Sequence, residues 1–168
     1  LDVSYQYEPN RNLKTQVRNR FGGMTVSQYD YLYDEIGRRT SVENSGTAFT
    51  SQAFNSFGYN DRNELTESRR YQGGYTTTPD PADELTARYR DYYYDPIGNR
   101  EDATEGTTLQ DYKPYTNSLN QYEQVDIGGT PTGFQFDDDG NMTSMGDVTY
   151  VYNAENRLVQ ATSIMANG

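Results

Sequence analysis

One nine-residue string, aromatic–any–aromatic–acid or amide followed by a turn, returns six times in this chain. The copies are YQYEPNRNL from Tyr5, YLYDEIGRR from Tyr31, FGYNDRNEL from Phe57, YYYDPIGNR from Tyr92, FQFDDDGNM from Phe134 and YVYNAENRL from Tyr150, aligned without gaps. All 12 aromatic slots hold Tyr or Phe in a chain that is 14% aromatic, so chance does not explain the recurrence. The starts lie 26, 26, 35, 42 and 16 residues apart. A period that holds and then drifts is the mark of a repeat array with unequal connections.

Each position in the string has a physical job. Aromatics two apart, such as Tyr31 and Tyr33, Tyr92 and Tyr94, Phe134 and Phe136, or Tyr150 and Tyr152, share one face of a strand. The next residue (Asp34, Asp95, Asp137 or Asn153) opens a turn, where its side-chain oxygen accepts from backbone N–H groups two residues on. Three residues later a three-residue hairpin loop needs a left-handed backbone. That slot holds Gly37, Gly98 and Gly140, or Asn63 and Asn156, the non-glycine type that best tolerates it. Arg11 occupies the slot in the first copy, so strain is expected there. The return strand follows. The predicted fold is therefore all-β, with repeated antiparallel hairpins over residues 5–17, 31–42, 57–70, 92–103, 134–145 and 150–161.

Between the copies, Glu43 to Thr47 reads as a loop and Ala48 to Ser56 as a strand leading into the third hairpin. Residues 71–84, with Gly73-Gly74, three consecutive Thr and Pro79-Asp80-Pro81, read as an insertion on the sheet edge. Leu85 to Arg88 reads as a short helical or extended lead-in. Tyr112 to Val125, carrying Tyr115, Leu119 and Tyr122, reads as an irregular link with a strand from Tyr122 to Asp126, and Ile127 to Gly133 as turn-rich. Ser163 to Gly168 is expected to fray.

Composition removes several function classes. The 25 acidic and 14 basic side chains give a formal charge of −11. That disfavours binding to a nucleic-acid backbone or an anionic membrane surface. Without Cys or His, thiolate chemistry, disulfides and the commonest general base and metal ligand are missing. No apolar run approaches the roughly 20 residues of a helical span, so membrane insertion is not expected. Polarity this high is often a sign of disorder. Here 17 Tyr and the hairpin grammar outweigh it, because a Tyr ring buries its body and leaves its hydroxyl to a polar partner. The chain begins at Leu1, which suggests a piece of something longer.

Catalytic and metal candidates are few. Asp137-Asp138-Asp139 is the most acidic spot and the one calcium candidate. Calcium loops place ligands at alternate positions and end on a distant Glu, and Asp137 already fills the turn slot. The motif carboxylates have turn roles that leave no pair for glycoside hydrolysis. Lys14 and Lys113 belong to no recognisable Ser–Lys arrangement, and Asn141-Met142-Thr143 matches a glycosylation sequon. Outward Tyr and Arg side chains are candidates for stacking on sugars, against the simpler reading that they pack the sheet. No cofactor is expected, and the chain is not expected to be an enzyme.

The strings YLYDEIGRRTSV, FGYNDRNELTES, YYYDPIGNR, YTNSLNQYEQV, FQFDDDGNMTS and YVYNAENRLVQA resemble the tyrosine–aspartate (YD) repeats of RHS-repeat proteins, teneurins and shell components of insecticidal toxin complexes. The resemblance spans roughly the whole chain and includes the Leu119-Asn120-Gln121-Tyr122 and Ala154-Glu155-Asn156-Arg157-Leu158 variants. It implies a curved, spiralling sheet of hairpins with a structural role, secreted or on a cell surface, enclosing a toxin cargo or presenting a surface to glycans. In that family an Asp-Pro-X-X-Gly stretch can precede self-cleavage. Asp95-Pro96-Ile97-Gly98 is followed by ordinary repeats, so it reads as a turn with Pro96 in a favoured position. Open sheet edges would pair with adjacent repeats of a longer chain or with other copies, as in a filament.

Overall fold

A computed structural model describes residues 1–114 and 119–163. Its fourteen strands form one open antiparallel sheet in chain order. They are β1 (Asp2–Tyr7), β2 (Lys14–Phe21), β3 (Met24–Tyr33), β4 (Arg39–Ser45), β5 (Ala53–Tyr59), β6 (Leu65–Gln72) and β7 (Arg90–Tyr94). Then come β8 (Arg100–Glu105), β9 (Thr108–Pro114), β10 (Tyr122–Ile127), β11 (Thr130–Phe136), β12 (Met142–Met145), β13 (Val148–Tyr152) and β14 (Leu158–Ser163). The only helical pieces among the described residues are single 3-10 turns, Pro81–Asp83 and Thr86–Arg88. The chain divides into two compact units, Leu1–Tyr92 with Thr104–Thr107, and Tyr93–Ala103 with Thr108–Gly168.

The repeat string folds into the expected hairpin. In the second copy, Asp34 N–H donates to Arg38 O at 2.9 Å and Gly37 N–H donates to Asp34 O at 3.1 Å. Gly37 has φ +92, the conformation a side chain would oppose. The same pair of bonds closes the turns at Asn60, Asp95, Asp137 and Asn153. In the second, fourth, fifth and sixth copies the residue between the two aromatics is exposed while the aromatics are half-buried, as at Tyr31-Leu32-Tyr33 and Tyr150-Val151-Tyr152, whereas Tyr5 and Tyr7 of the first copy are exposed.

The first copy departs from the gap-free alignment. There Glu8 N–H donates to Leu13 O, one residue further on, and the left-handed residue is Asn12 at φ +53. Arg11 does not take a positive φ, so the expected strain is absent. A longer loop costs little closure entropy, whereas a left-handed Arg costs about 1–2 kcal/mol. The chain uses the neighbouring Asn instead.

Every one of these hairpins whose register is resolved slips at the second aromatic. Leu32 faces Ser41 but Tyr33 faces Arg39, leaving Thr40 as an extra residue. Thr15, Thr66, Thr143 and Val159 are the extra residues in four other hairpins. Such a bulge bends the bulged strand and raises its local twist.

Other connections differ from the sequence reading. Gly22-Gly23 and Gly128-Gly129 are two-residue turns with both φ positive, as a type I′ hairpin requires. Where an irregular link was expected from Tyr112 to Val125, the described parts are paired strands: β9, ending at Pro114, pairs with β10 antiparallel, Val125 opposite Tyr112. Tyr115 and residues 164–168, including most of the tail expected to fray, lie outside the described residues. β4 runs through Ser45, and β5 begins only at Ala53, with Phe49 turned edge-on to Tyr29 at 5.7 Å.

The insertion also starts later than expected, because Tyr71 and Gln72 belong to β6. Its first part lies on a face of the first unit, and its end runs alongside β6, Glu84 bridging Tyr71 antiparallel. Tyr75 N–H donates to Glu43 Oε2 at 2.7 Å, and the Tyr75 ring meets Phe54 edge-on at 5.4 Å. Phe54, only 1% exposed, stacks on Tyr71 at 5.2 Å. A thin polar sheet acquires a core here because a loop covers it. In the second unit Ala103 and Val125 are buried, and Tyr112 tilts against Tyr122 at 5.3 Å.

Candidate functional site

The repeated turns gather most of the residues singled out by the sequence. In the first unit Asp34 Oδ1 accepts from Ile36 N–H at 3.2 Å and Arg38 N–H at 2.8 Å, and Oδ2 accepts from Arg38 Nε at 2.6 Å. In the second unit Asp95 takes the backbone N–H groups of Ile97 and Asn99 together with the Asn99 side chain. Asp137 repeats this with Asp139 and Asn141. Asn60 and Asn153 do the same through an amide oxygen.

These bonds set the carboxylates' proton affinity. The Arg38 side chain, helped by backbone donors, holds Asp34 below its ordinary value. Burial acts to raise Asp95, but the hydrogen bonds from Asn99, Ile97 and Gly98 outweigh it and the net shift is downward. The Asn141 side chain leads the same downward shift at Asp137. Hydrogen bonding to the ionised form is the common cause.

A second layer of bonds runs from turn to turn. Arg11 donates to the carbonyls of Asp34 at 2.5 Å and Glu35 at 3.0 Å. Arg38 donates to Asn60 O at 3.3 Å and Asn63 Oδ1 at 2.9 Å. In the second unit Asn99 donates to Asn120 Oδ1 at 2.6 Å, and Asn141 to Asn156 Oδ1 at 3.0 Å. Asn63, Asn120 and Asn156 are all left-handed residues. At Arg38, Asn99 and Asn141 the residue just after one turn's left-handed slot thus reaches the left-handed residue of the next turn, whereas Arg11 precedes its own, Asn12. Tyrosines add ties between hairpins: Tyr33 OH donates to Lys14 O and Tyr59 OH to Arg39 O, each at 2.8 Å.

The chemical candidates are spoken for. Both oxygens of Asp137 are engaged, Asp138 and Asp139 stand exposed in the same turn, and no cluster of three carboxylates converges as a metal site among the described residues. Lys14 lies 4.5 Å over the Tyr5 ring, and Lys113 is paired with Asp111, which tightens its hold on its proton. A lysine base needs the opposite shift. The amide nitrogen of Asn141, in the sequon, donates to both Asp137 and Asn156.

Two clefts stand out among the described residues, the second of them bordered by the Asp95, Asn99 and Asn120 ladder residues. One, of about 420 Å³ in the first unit, runs under the insertion and is lined by Ser56, Glu67, Arg69, Tyr71, Tyr75 and Glu84. Arg69 bridges its two carboxylates, pairing with Glu67 at 3.0 Å and Glu84 at 3.2 Å. Beside it, burial first and the Asp91 hydrogen bond second push the Tyr89 hydroxyl up to about 12. The other, of about 640 Å³ in the second unit, is lined by Asp95, Arg100, Asp102, Asp111 and Tyr112, with Tyr122 donating to Arg100 O at 2.8 Å.

Sequence reasoning missed the turn-to-turn donors and the bulge threonines. The signal for the second was present: a β-branched residue stands three positions after the left-handed slot at Thr40, Thr66, Thr143 and Val159. The partners of Arg38 and Asn141 lie in the next repeat, so no local pattern names them. No protein-family model matches the chain, and no curated protein matches it.

Proposed function

We propose that this chain is a stretch of YD-repeat scaffold, a non-catalytic wall of hairpins secreted or carried on a cell surface, of the kind that encloses a toxin or displays a surface. The observation that carries this reading is the turn-to-turn ladder. Acidic and amide side chains that would otherwise be candidates for chemistry are spent on their own turn and on the next one. A repeat whose polar groups bind only its neighbours is suited to building extent. Stability in such arrays comes from repeat–repeat interfaces. Electron micrographs of the natively purified protein test the reading. Hollow particles or continuous walls support it, and isolated small domains with a measurable turnover overturn it.

A second reading, self-association into filaments, draws on one further observation. Arg157 occupies the ladder position of the turn that opens at Asn153, yet its side chain is 72% exposed and, among the described residues, pairs only with Glu155. Strands β1 and β14 each pair on one side. Docking β1 of a second copy beside β14 would offer Arg157 the carbonyls that Arg11 and Arg38 find in their next turns. Light scattering over a concentration series tests it: Arg157→Glu lowers the assembled mass, and a strict monomer at high concentration removes the filament.

A further inference from the structure

We infer that the first unit carries an oxyanion-binding site, formed by Arg70 on β6 and Arg88 on the 3-10 turn beside it, which accepts a sulfate, phosphate or carboxylate group. Arg70 is a half-buried guanidinium whose hydrogen-bond acceptors among the described residues are neutral. It donates to Asn55 Oδ1 and Asn44 Oδ1, each at 2.6 Å, and makes no ion pair among the described residues. Two amide oxygens supply dipoles but no counter-charge, and a desolvated cation without one is costly.

The neighbourhood adds positive charge. Leu85 N–H donates to Arg70 O at 2.7 Å, which pins the Thr86–Arg88 turn against β6. Chain alternation then separates the two faces: Tyr89 stacks under Arg69 at 4.6 Å, while Arg88 lies within electrostatic reach of Arg70. Arg88 is exposed and forms no ion pair among the described residues. Arg90, on the strand register beside Ser68, is matched by Glu105 at 3.0 Å. Two unmatched guanidinium groups therefore lie close together in a chain of charge −11.

Asn44 gives an independent sign. Only 6% exposed, it directs its oxygen to Arg70 and leaves Nδ2 buried without a partner. Buried polar atoms are rarely left so. A guanidinium pair with a nearby amide donor is suited to the several acceptor oxygens of an oxyanion, which Arg binds through a planar fork.

The test is an NMR titration of the whole chain with sodium sulfate and with sodium acetate, at ionic strength held constant with sodium chloride. Saturable shifts confined to Arg70 and Leu85–Tyr89 are expected. Sulfate alone points to a sulfate or phosphate group, acetate alone to a carboxylate, and either supports the site. Arg88→Gln, an exposed change that leaves the fold intact, weakens the response about tenfold or more. Arg157→Gln, an exposed cation in the second unit, leaves it unchanged. No saturable shift with either anion, or equal affinity in Arg88→Gln, overturns the site whatever the chain's role as a scaffold.

Discussion

Arg38 donates to Asn63 Oδ1 at 2.9 Å, joining two turns whose residues are 25 apart in sequence. The same guanidinium bonds Asp34 Oδ2 at 2.6 Å within its own turn and lies over the Tyr59 ring at 4.9 Å. One side chain thereby closes its hairpin and fastens the next. A double-mutant cycle tests the fastening. Asn63→Gly keeps the left-handed residue and removes only the acceptor, and Arg38→Met removes the donor. Their coupling is expected at about 0.5–1 kcal/mol, the scale of a partly exposed charged hydrogen bond. Pairing Asn63→Gly with Arg157→Met, in the other unit, should give none. Equal coupling for both pairs would remove the ladder.

Glycine substitutions separate torsional strain from collision. At Gly37, φ is +92 and an added Cβ would meet only Leu13 Cδ1 at an ordinary 3.6 Å. Gly37→Val is therefore expected to cost about 1–3 kcal/mol in strain. Glu35→Ala, in the same turn, should stay within about 0.5 kcal/mol. Gly46→Ala is worse than Gly37→Ala, because its Cβ would sit 2.6 Å from the Val26 carbonyl oxygen, which is backbone and cannot swing away. Urea unfolding orders the variants, and equal midpoints for Gly37→Val and Glu35→Ala would sink the turn assignment.

Much of this was legible because the hairpin grammar is local. The bonds that close the turn, from Asp34 to Ile36, Gly37 and Arg38, span at most four residues, so order in the chain specifies these roles. Arg11 was misread because a one-residue loop extension leaves no mark in a gap-free alignment, and Asn12 takes the left-handed role beside it. The insertion's place could not be read either. Its anchors, Glu43 and Phe54, lie 32 and 21 residues before Tyr75, and nothing near Tyr75 names them. The cleft under the insertion and the Arg70–Asn44 contact are products of that long-range packing. Thr40 and its equivalents were legible in principle, since their recurrence is sequential.

Acid should weaken the turns in a way that substitution can isolate. Asp34 is held below its ordinary value of 3.8 by Arg38 and backbone donors. A carboxylate depressed in the folded state contributes stability that is complete above its unfolded pKa and is lost as pH falls through the folded one. The loss is therefore expected below about pH 4, while relief of the net negative charge acts in the opposite direction. Asp34→Asn keeps an oxygen for the turn, as Asn60 and Asn153 do, but does not titrate. Wild type should exceed Asp34→Asn in stability at pH 7, and the gap should narrow as pH falls from about 4 to 3. A gap between their denaturation midpoints that stays constant from pH 7 to pH 3 would refute the carboxylate's role.

Phe54 and Tyr75 should fail differently when truncated. Phe54 is 1% exposed and packs against Tyr71 and Tyr75, so Phe54→Ala is expected to cost about 3–5 kcal/mol, the range for emptying a buried aromatic site. Tyr75 is 37% exposed and contributes one edge-on ring contact, worth about 0.5–1.5 kcal/mol beyond its buried area. Its removal frees the insertion while leaving β4–β6 paired. Limited proteolysis should therefore cut Tyr75→Ala between residues 73 and 84 several-fold faster than wild type, with only a small shift in the urea midpoint. Phe54→Ala should show faster cleavage and a large shift together. Unchanged cleavage in Tyr75→Ala would mean that the backbone bonds from Gly73 to Gln52 and from Tyr75 to Glu43 hold the insertion without the ring.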